Sequence, residues 1–402
     1  MVDPLIIPSI AMLTGGGILA ARDYLKRRLH SSEDRYMSMY GKTEWDASNM
    51  DLTIHFDAEH DEKVKAHFFS QLARGLREDP DTFHLLTETA DVSGETLKFV
   101  ADPDVSVEEL MQPRRGMYFD ADRPGEIRMV WNHMQTDGVG MWTTLRTLFD
   151  ENPPLIPYKD VPIPPPVLPE LLAIPSTARR LAWRGKLKKK LQTGPSLQRG
   201  LVIWDADSIR TLNGHLGGGS FNILACAIAI HEVFQWHPDR KKLTVGLTAY
   251  FPFLEGRNKY GVILCKIRRG SLADIVRRLQ RQTKNPIVGW GTASAQSYAL
   301  GRMPDRAFVR LISYYRKQVD VLVSSLPVGQ KPITIQDVPT VIACHPWELT
   351  LPYYFLLVGT RHQLHVSYTS RDTREKVFTY PHEKMEAPPG VPDELLPEES
   401  SP

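Results

Sequence analysis

The sequence predicts an α/β fold, an α+β sandwich arranged as two lobes. Apolar and polar residues alternate in DLTIHF and EIRMVW, as they do in strands, whereas VKAHFFSQLARGL has the apolar spacing of a helix. The same mixture of elements recurs after a proline-dense stretch at 152–175. Because proline at such density breaks helices and central strands, this stretch is expected to connect the two lobes.

The composition is that of an ordinary folded protein. Of 402 residues, 42% are apolar and 24% are charged, which argues against global disorder. The formal net charge is only +2, so no nucleic acid partner is expected. Cys226, Cys265 and Cys344 are widely spaced in apolar contexts. They predict reduced core residues in a cytoplasmic protein, and neither a disulfide framework nor a metal site.

The N-terminal segment, residues 1–44, is apolar and then basic. Leu5–Ala21 carries no charge and is followed by RDYLKRRLH. As a helix this stretch would be about 25 Å long, which is marginal for a bilayer. The basic residues come after the apolar stretch, and this is not the order of a secretory signal. Two interpretations stay open: residues 5–29 attach the protein to a membrane, or the segment packs on the folded domain.

The first lobe, predicted at 45–151, ends in the stretch VWNHMQTDG. In EIRMVWNH, the alternate residues from Ile127 to Trp131 share one apolar face of a strand, and His133 follows at the end of that strand. Helical spacing downstream predicts a helix that begins shortly after Gly138. A histidine held at a strand end beside an apolar wall is suited to take a proton from a nucleophile near neutral pH.

The same stretch also has a purely structural interpretation. The pair Asp137-Gly138 is a common turn signal, because glycine tolerates a positive φ and aspartate hydrogen-bonds to its own loop. A single histidine at a strand end is often structural as well. The pattern alone therefore leaves open whether His133 is a general base or only the edge of a turn.

The connector and the basic segment after it cover 152–200. Residues 176–200 contain no acidic residue, and most of their basic residues lie at 179–190. One interpretation is a solvated helix whose apolar side chains touch the protein. The other is contact with an anionic partner. Because Trp183 and several leucines interleave with the charges, a membrane surface or an acyl carrier protein suits the segment better than base recognition does.

The second lobe, predicted at 201–384, repeats the α/β pattern. Strands are predicted for GLVIWDA, LTVGLTAYF and YGVILCKI, and a mostly buried helix for SFNILACAIAIHEVFQW. YYFLLVGT and QLHVSYTSR are expected to form adjacent strands joined by a short turn. The tail at 385–402 is acidic and rich in proline, which predicts disorder.

The hexapeptide at 133–138, HMQTDG, resembles the HxxxDG motif of the coenzyme A-dependent acyltransferase superfamily. This superfamily includes chloramphenicol acetyltransferase, plant-type alcohol acyltransferases, wax ester synthase/diacylglycerol acyltransferases and peptide-synthetase condensation domains. Three weaker stretches also resemble the family, in the family's order. They are 219–224, similar to T-x-N-D-V-L; 245–261, which contains Arg257-Asn258 where the family has Gly-Asn; and 323–329, similar to S-N-V-P-G.

The resemblance implies two chloramphenicol-acetyltransferase-like lobes that meet in a V, with a tunnel at their interface and His133 near its middle. It implies an acyltransferase whose donor is acyl-CoA or a carrier-protein phosphopantetheine thioester, and whose acceptor is a hydroxyl or amine on a hydrophobic small molecule. His133 would be the general base. The alternative is a non-catalytic, condensation-like module that binds a carrier or partner protein. No metal, permanently bound cofactor or acyl-enzyme is expected.

The resemblance also implies roles for other residues. Asp137 is expected to hold the loop by pairing with an arginine, and Gly138 to let substrate approach the backbone. Asn258 is expected to contact substrate. Ser324 and Ser325 are expected to polarise the thioester or line the tunnel, although a simple turn is equally compatible with their sequence.

The sequence departs from the family pattern at three places. Asn132 stands where condensation domains and wax ester synthases have a second histidine. The arginine expected near His84-Leu85-Leu86 is absent, so the partner of Asp137 stays open. The triplet GWG at 289–291 is similar to the DFGWG box of plant-type enzymes but lacks the leading Asp-Phe, and we interpret it as coincidence.

Overall fold

The computed structural model describes residues 49–91, 98–113, 117–151, 197–216, 221–250, 257, 259–283, 306, 310, 319–328, 331–347, 351–359, 363–372, 374 and 376–378. The described residues before the connector are called the first half, and those after it the second half. The N-terminal segment, the cluster at 179–190, Asn258, the triplet at 289–291 and the acidic tail lie outside the described residues. The predictions for them remain predictions.

The described residues form fourteen strands and seven α-helices. The strands are β1 (Asn49–His55), β2 (Glu88–Asp91), β3 (Lys98–Ala101), β4 (Met117–Asp120), β5 (Glu126–Asn132), β6 (Gln198–Asp205), β7 (Lys242–Tyr250), β8 (Tyr260–Arg268), β9 (Val321–Pro327), β10 (Thr334–Ile335), β11 (Val338–Pro339), β12 (Val341–Pro346), β13 (Tyr353–Gly359) and β14 (Gln363–Ser370). The helices are α1 (Asp61–Glu78), α2 (Pro80–Thr87), α3 (Val107–Leu110), α4 (Gly138–Leu145), α5 (Ala206–His215), α6 (Phe221–Trp236) and α7 (Leu272–Thr283). Short 3-10 helices lie at Ala58–His60 and Arg146–Leu148.

The first sheet has four antiparallel strands in the order β12-β1-β5-β4. The predicted strands DLTIHF and EIRMVW are confirmed as β1 and β5. Strand β12 comes from the second half of the chain and pairs with β1, with Leu52 opposite Cys344. The two halves are therefore interwoven, although the lobe boundaries at 45–151 and 201–384 stay a proposal.

The second sheet has six strands in the order β6-β14-β13-β9-β7-β8. Its centre is parallel, because β9 lies parallel to both β13 and β7. The remaining pairs are antiparallel. The strands predicted from GLVIWDA, LTVGLTAYF and YGVILCKI are confirmed as β6, β7 and β8, and YYFLLVGT and QLHVSYTSR are the adjacent strands β13 and β14.

Each sheet carries its own apolar core. In α1, the buried residues recur every four positions, at Val64, Phe68, Leu72 and Leu76, and pack in the core beneath the first sheet. Helix α6 is buried along most of its length and lies in the core of the second sheet, as its apolar sequence predicts. Each large side chain buried in these cores contributes about 1.5–3 kcal/mol relative to exposure.

The three cysteines are free and buried, as predicted. Cys226 and Cys265 lie in the second core and Cys344 in the first. Burial raises the pKa of Cys226 to about 12, so this thiol stays protonated and unreactive near neutral pH. Among the helices in the described part of the chain, none is both long enough and apolar enough to cross a membrane.

Substitution by alanine is expected to affect stability differently at two helix glycines, Gly75 in α1 and Gly214 in α5. A methyl group at Gly75 would lie 2.2 Å from the ring of Phe83. Gly75→Ala should therefore lower the free energy of unfolding by about 1–3 kcal/mol, although alanine favours helix by about 1 kcal/mol. At Gly214, in α5, the methyl would meet nothing within 4 Å. Chemical denaturation should show Gly214→Ala to be neutral or stabilising, and equal effects of the two substitutions would contradict this packing.

Candidate active site

His133 lies in the turn between the last residue of β5 and the first turn of α4. The strand ends at Asn132 and the helix begins at Gly138, so the predicted order of strand, histidine, loop and helix is confirmed. The alternate residues from Ile127 to Trp131 are buried in the first core, as predicted. The His133 side chain is half-buried, and its ring centroid lies 5.4 Å from that of Tyr260, the first residue of β8. His133 therefore contacts the second half of the chain.

Asn132 fixes the turn that carries His133. Its side chain is fully buried, and its Nδ2 donates to Oδ1 of Asn49 at 2.8 Å. Its Oδ1 accepts from the backbone N–H of Met134 at 3.0 Å, and its carbonyl accepts from the N–H of Gln135 at 2.9 Å. The amide thus uses both its donor and its acceptor. The residue directly before His133 therefore organises the turn.

Asp137 connects the two halves through its carboxylate. The residue is 5% exposed, and its Oδ1 accepts from the backbone N–H groups of Val139 and Gly140, at 3.0 and 2.9 Å. Its Oδ2 accepts from the backbone N–H of Lys259, in the second half, at 2.9 Å. These three recorded donors are backbone groups, whereas the resemblance implied an arginine side chain. Asp137 is therefore the N-cap of α4 and also a link between the halves.

Burial and hydrogen bonding have opposite effects on the pKa of Asp137. Burial raises the pKa of Asp137, whereas the three N–H donors and the neighbouring His133 lower it and offset part of that rise. The carboxylate that fixes the loop therefore lies close enough to His133 to interact with it electrostatically.

Arg257 reaches the His133 loop from the second half, but through Gln135 instead of Asp137. Its guanidinium forms an ion pair with Glu88 of β2 and lies 4.0 Å from the ring centroid of Phe99. Its Nη1 donates to the carbonyl of Gln135 at 3.4 Å, and Gln135 Nε2 donates to the carbonyl of Glu88 at 3.1 Å. The loop is therefore held between the β2–β3 hairpin and the second half.

Gly138 of the motif and Gly140, two positions later, differ in what surrounds them. A Cβ atom at Gly138 would meet nothing within 4 Å. The space beside this residue is compatible with the expected approach of substrate, which remains a prediction. A Cβ atom at Gly140 would lie 2.0 Å from Oγ1 of Thr136. The packing of the loop therefore requires glycine at 140, and the sequence pattern did not identify this position.

Ser324 and Ser325 lie inside β9, so the alternative of a turn is wrong. Adjacent residues of a strand point to opposite faces, so the two hydroxyls cannot line the same surface. Ser324 Oγ accepts from Thr248 Oγ1 at 2.8 Å. Ser325 alternates with Val321 and Val323, which are buried in the second core. Substrate contact is thus a proposal for Ser324 in preference to Ser325.

The described ranges contain no cluster of three His, Cys, Asp or Glu side chains that could hold a metal ion. The groups that the described residues present at the site are the imidazole of His133, the buried carboxylate of Asp137 and the backbone around them. A half-exposed imidazole in a fixed loop can accept or donate a proton. This arrangement suits transfer of a proton to or from a bound nucleophile.

Asp137→Asn should break the link between the halves while keeping most of the helix cap. The amide oxygen can replace Oδ1, but the amide nitrogen would then face the N–H of Lys259. We expect the free energy of unfolding to fall by about 1–3 kcal/mol. The matched control is Asp205→Asn at the N-cap of α5, where the carboxylate accepts from Ser208 N and from other groups of the same helix. Asparagine caps helices as well as aspartate does, so a similar loss in both variants would contradict the link.

Glu88→Gln should weaken the contact of Arg257 with the loop. The Glu88 side chain is 13% exposed and that of Arg257 is 34% exposed. We therefore expect the free energy of unfolding to fall by about 1–2 kcal/mol, which lies between the values for exposed and buried ion pairs. The control is Asp207→Asn, because Asp207 pairs with Arg210 on the surface of α5. Thermal midpoints should fall for Glu88→Gln and stay unchanged for Asp207→Asn. Unchanged midpoints for both variants would mean that the Arg257 contact contributes little.

Comparison with known proteins identifies the fold. No protein-family model matches the sequence. No curated protein matches it either. Many solved structures are similar to it. Three of them match over most of the chain with a TM-score of 0.50. The wax ester synthase/diacylglycerol acyltransferase from Marinobacter aquaeolei VT8 is 14% identical, over 84% of this chain and 92% of that one.

The other two structures come from different kinds of protein. The starter condensation domain of rhizomide synthetase RzmA, a double mutant in complex with C8-CoA and Leu-SNAC, is 11% identical over 85% of this chain and 88% of that one. Polyketide synthase associated protein 5 from Mycobacterium tuberculosis is 12% identical over 81% of this chain and 90% of that one. At these identities the likeness concerns the fold. The chain therefore has the same two-lobed fold as the wax ester synthase and the condensation domain, which is the fold that its sequence predicts.

Proposed function

We propose that this protein is an acyltransferase that moves an acyl group from a thioester to a hydroxyl or amine. The observation that carries the proposal is the position of His133. Its loop is held by contacts from both halves of the chain, within a fold that acyltransferase and condensation-domain structures share. A structural turn would not need a half-exposed imidazole at this place.

The proposed reaction has two steps. His133 takes the proton from the acceptor hydroxyl or amine as the freed lone pair attacks the thioester carbonyl carbon. The tetrahedral intermediate then collapses, the carbon–sulfur bond breaks, and the thiolate leaves with the proton that His133 returns. The acyl group passes directly to the acceptor, and no acyl-enzyme forms. General-base help is worth about 10²- to 10⁴-fold, and the remaining acceleration comes from holding both substrates in line.

Asp137 acts as a positioning residue in this proposal. Its carboxylate fixes α4 and the second half against the loop, and its charge favours the protonated imidazole that forms after proton transfer. Gly138 and Ser324 are proposed to line the path of substrate, and so is Asn258, which lies outside the described residues.

The identities of the substrates form the finer part of the proposal. Acyl-CoA is the first donor to test, because a solved structure with the same fold is a complex with C8-CoA. A carrier-protein phosphopantetheine thioester presents the same reactive group. A hydrophobic acceptor would suit the apolar N-terminus, and membrane association through residues 5–29 or the cluster at 179–190 belongs to the same proposal.

His133→Ala should abolish most of the transfer without unfolding the protein. Free thiol released from a panel of acyl-CoAs, in the presence of candidate alcohols and amines, measures the reaction. We expect kcat to fall by about 10²- to 10⁴-fold with an unchanged thermal midpoint, because the ring is half-exposed. The matched control is His215→Ala, which removes an exposed histidine at the end of α5 and should leave both quantities unchanged.

Two outcomes would overturn the proposal. Full activity of a folded His133→Ala variant would exclude His133 as the general base. Tight binding of an acyl carrier protein, with no thiol release by the wild-type protein from any donor, would favour the non-catalytic module instead.

A further inference from the structure

A strongly basic surface lies where β7 begins, where β8 ends and along α7. Residues 239–242 and 268–283, which form these parts of the second half, contain eight Lys or Arg and two Asp. The formal net charge of the whole chain is only +2. Positive charge is therefore concentrated here, and the Lys and Arg residues of the two ranges are called the basic surface.

Hydrogen bonds hold the two ranges together. Lys242 of β7 lies opposite Arg268 of β8, and the N–H of Arg269 donates to the carbonyl of Lys241 at 3.0 Å. In α7, Nη1 of Arg278 donates to the carbonyl of Arg268 at 2.6 Å. Basic residues that are far apart in the sequence therefore form one continuous surface.

The acidic residues within this surface balance only a small part of its charge. Asp274 pairs with Arg277, and Oδ2 of Asp239 lies 4.0 Å from Nε of Arg240. Four further side chains are exposed and form no hydrogen bond or ion pair with any described residue. They are those of Lys241, Lys242, Arg268 and Arg281.

Several of these positive charges also repel one another. Like charges are unfavourable where they lie directly opposite in antiparallel strands, as Lys242 and Arg268 do. They are also unfavourable four positions apart on a helix, as Arg277 and Arg281 are in α7. An anionic partner on the basic surface would offset this repulsion.

The last described residues of the chain lie beside this surface. The ring centroid of Phe378 lies 5.1 Å from that of Trp236, the last residue of α6, and Trp236 Nε1 donates to the carbonyl of Val377 at 2.8 Å. Trp236 precedes Lys241 by five positions, which span at most about 18 Å. The chain that follows Phe378 therefore begins close to the basic surface.

The acidic tail, residues 385–402, carries charge of the opposite sign. It contains no Lys or Arg, and its five acidic residues are Glu386, Asp393, Glu394, Glu398 and Glu399. Asp393 follows Phe378 by 15 positions, and a chain of that length reaches up to about 50 Å. Such a tether also keeps the acidic residues at a local concentration of roughly millimolar. The tail can therefore reach the whole basic surface.

We propose that the acidic tail docks on the basic surface of the same molecule. Its five negative charges nearly match the six positive charges by which Lys and Arg exceed Asp on that surface. The surface lies at the opposite end of β8 from Tyr260, which contacts His133, and is therefore about 26 Å away along the strand. The docked tail covers this surface against other anionic partners and takes no part in the proposed acyl transfer.

A nitroxide spin label on the tail tests the contact directly. Ser400→Cys supplies the attachment point in the 402-residue chain, because the three native cysteines are buried. At low ionic strength the label should broaden the backbone amide signals of Lys242 and Arg268 and leave that of Arg77, in α1, unchanged. The broadening should disappear at about 1 M salt, where the Debye length is only about 3 Å. Absence of broadening at low ionic strength would overturn the proposal.

Charge variants show whether the broadening depends on the basic surface. The surface variant combines Lys241→Gln, Lys242→Gln and Arg268→Gln. The control variant removes three exposed charges from α1 and combines Lys63→Gln, Arg74→Gln and Arg77→Gln. Both variants should keep the wild-type thermal midpoint, because every substituted side chain is exposed. Broadening should be lost in the surface variant and kept in the control. Undiminished broadening in the surface variant would contradict docking at this place.

The tail of a second copy is one alternative occupant. Spin-labelled protein without isotope enrichment is mixed with unlabelled, nitrogen-15-enriched protein, so that only contacts between molecules can broaden the observed signals. We expect no broadening in this mixture. Broadening equal to that within one molecule would assign the contact to a second copy and overturn the proposal.

A membrane surface is the other alternative occupant. Vesicles of phosphatidylcholine and phosphatidylserine are the probe, and the tail variant combines Asp393→Asn, Glu394→Gln, Glu398→Gln and Glu399→Gln. It should bind the vesicles at least about fivefold more tightly than the wild type, which is the effect of one additional Lys or Arg at an anionic surface. Adding the surface substitutions should abolish this gain, whereas adding the α1 substitutions should not. Equally tight binding by the wild type and the tail variant would mean that the tail does not cover the surface.

Discussion

The hydrogen bonds of the Asp137 carboxylate are the interaction on which the site depends. One oxygen caps α4 through Val139 and Gly140, and the other accepts from Lys259 in the second half. Hydrogen bonds to a charged group contribute about 1.5–3 kcal/mol each, which offsets part of the cost of burying the carboxylate. One side chain thereby sets where the helix begins, where the loop ends and how the two halves meet at His133.

The remaining contacts of the loop also hold it between the two halves of the chain. Asn132 closes the turn from within the first half, and Arg257 fixes Gln135 from the second half. The paired strands β1 and β12 join the halves again, at the opposite edge of β1 from the one that carries β5. A catalytic group performs well only when its neighbours hold it in one geometry. The interweaving of the halves supplies that geometry for His133.

Local structure could be predicted from the sequence, whereas the contacts between the halves could not. Periodic patterns predicted β5, α4 and the position of His133 because these depend on neighbouring residues. Strand β12 was not predicted because VIACHP is buried throughout and does not alternate between apolar and polar residues. The partner of Asp137 is a backbone N–H group, which every residue except proline carries, so no residue type marks Lys259.

The proposed acyl transfer requires that thioester and acceptor meet at His133. A crystal structure with a non-hydrolysable thioether analogue of acyl-CoA would test it most directly. We expect the junction of sulfur and acyl chain to lie beside the His133 ring, with room for one nucleophile atom about 2.6–3.2 Å from a ring nitrogen. An analogue bound with that junction at any other surface, and with His133 in contact only with protein, would contradict the account.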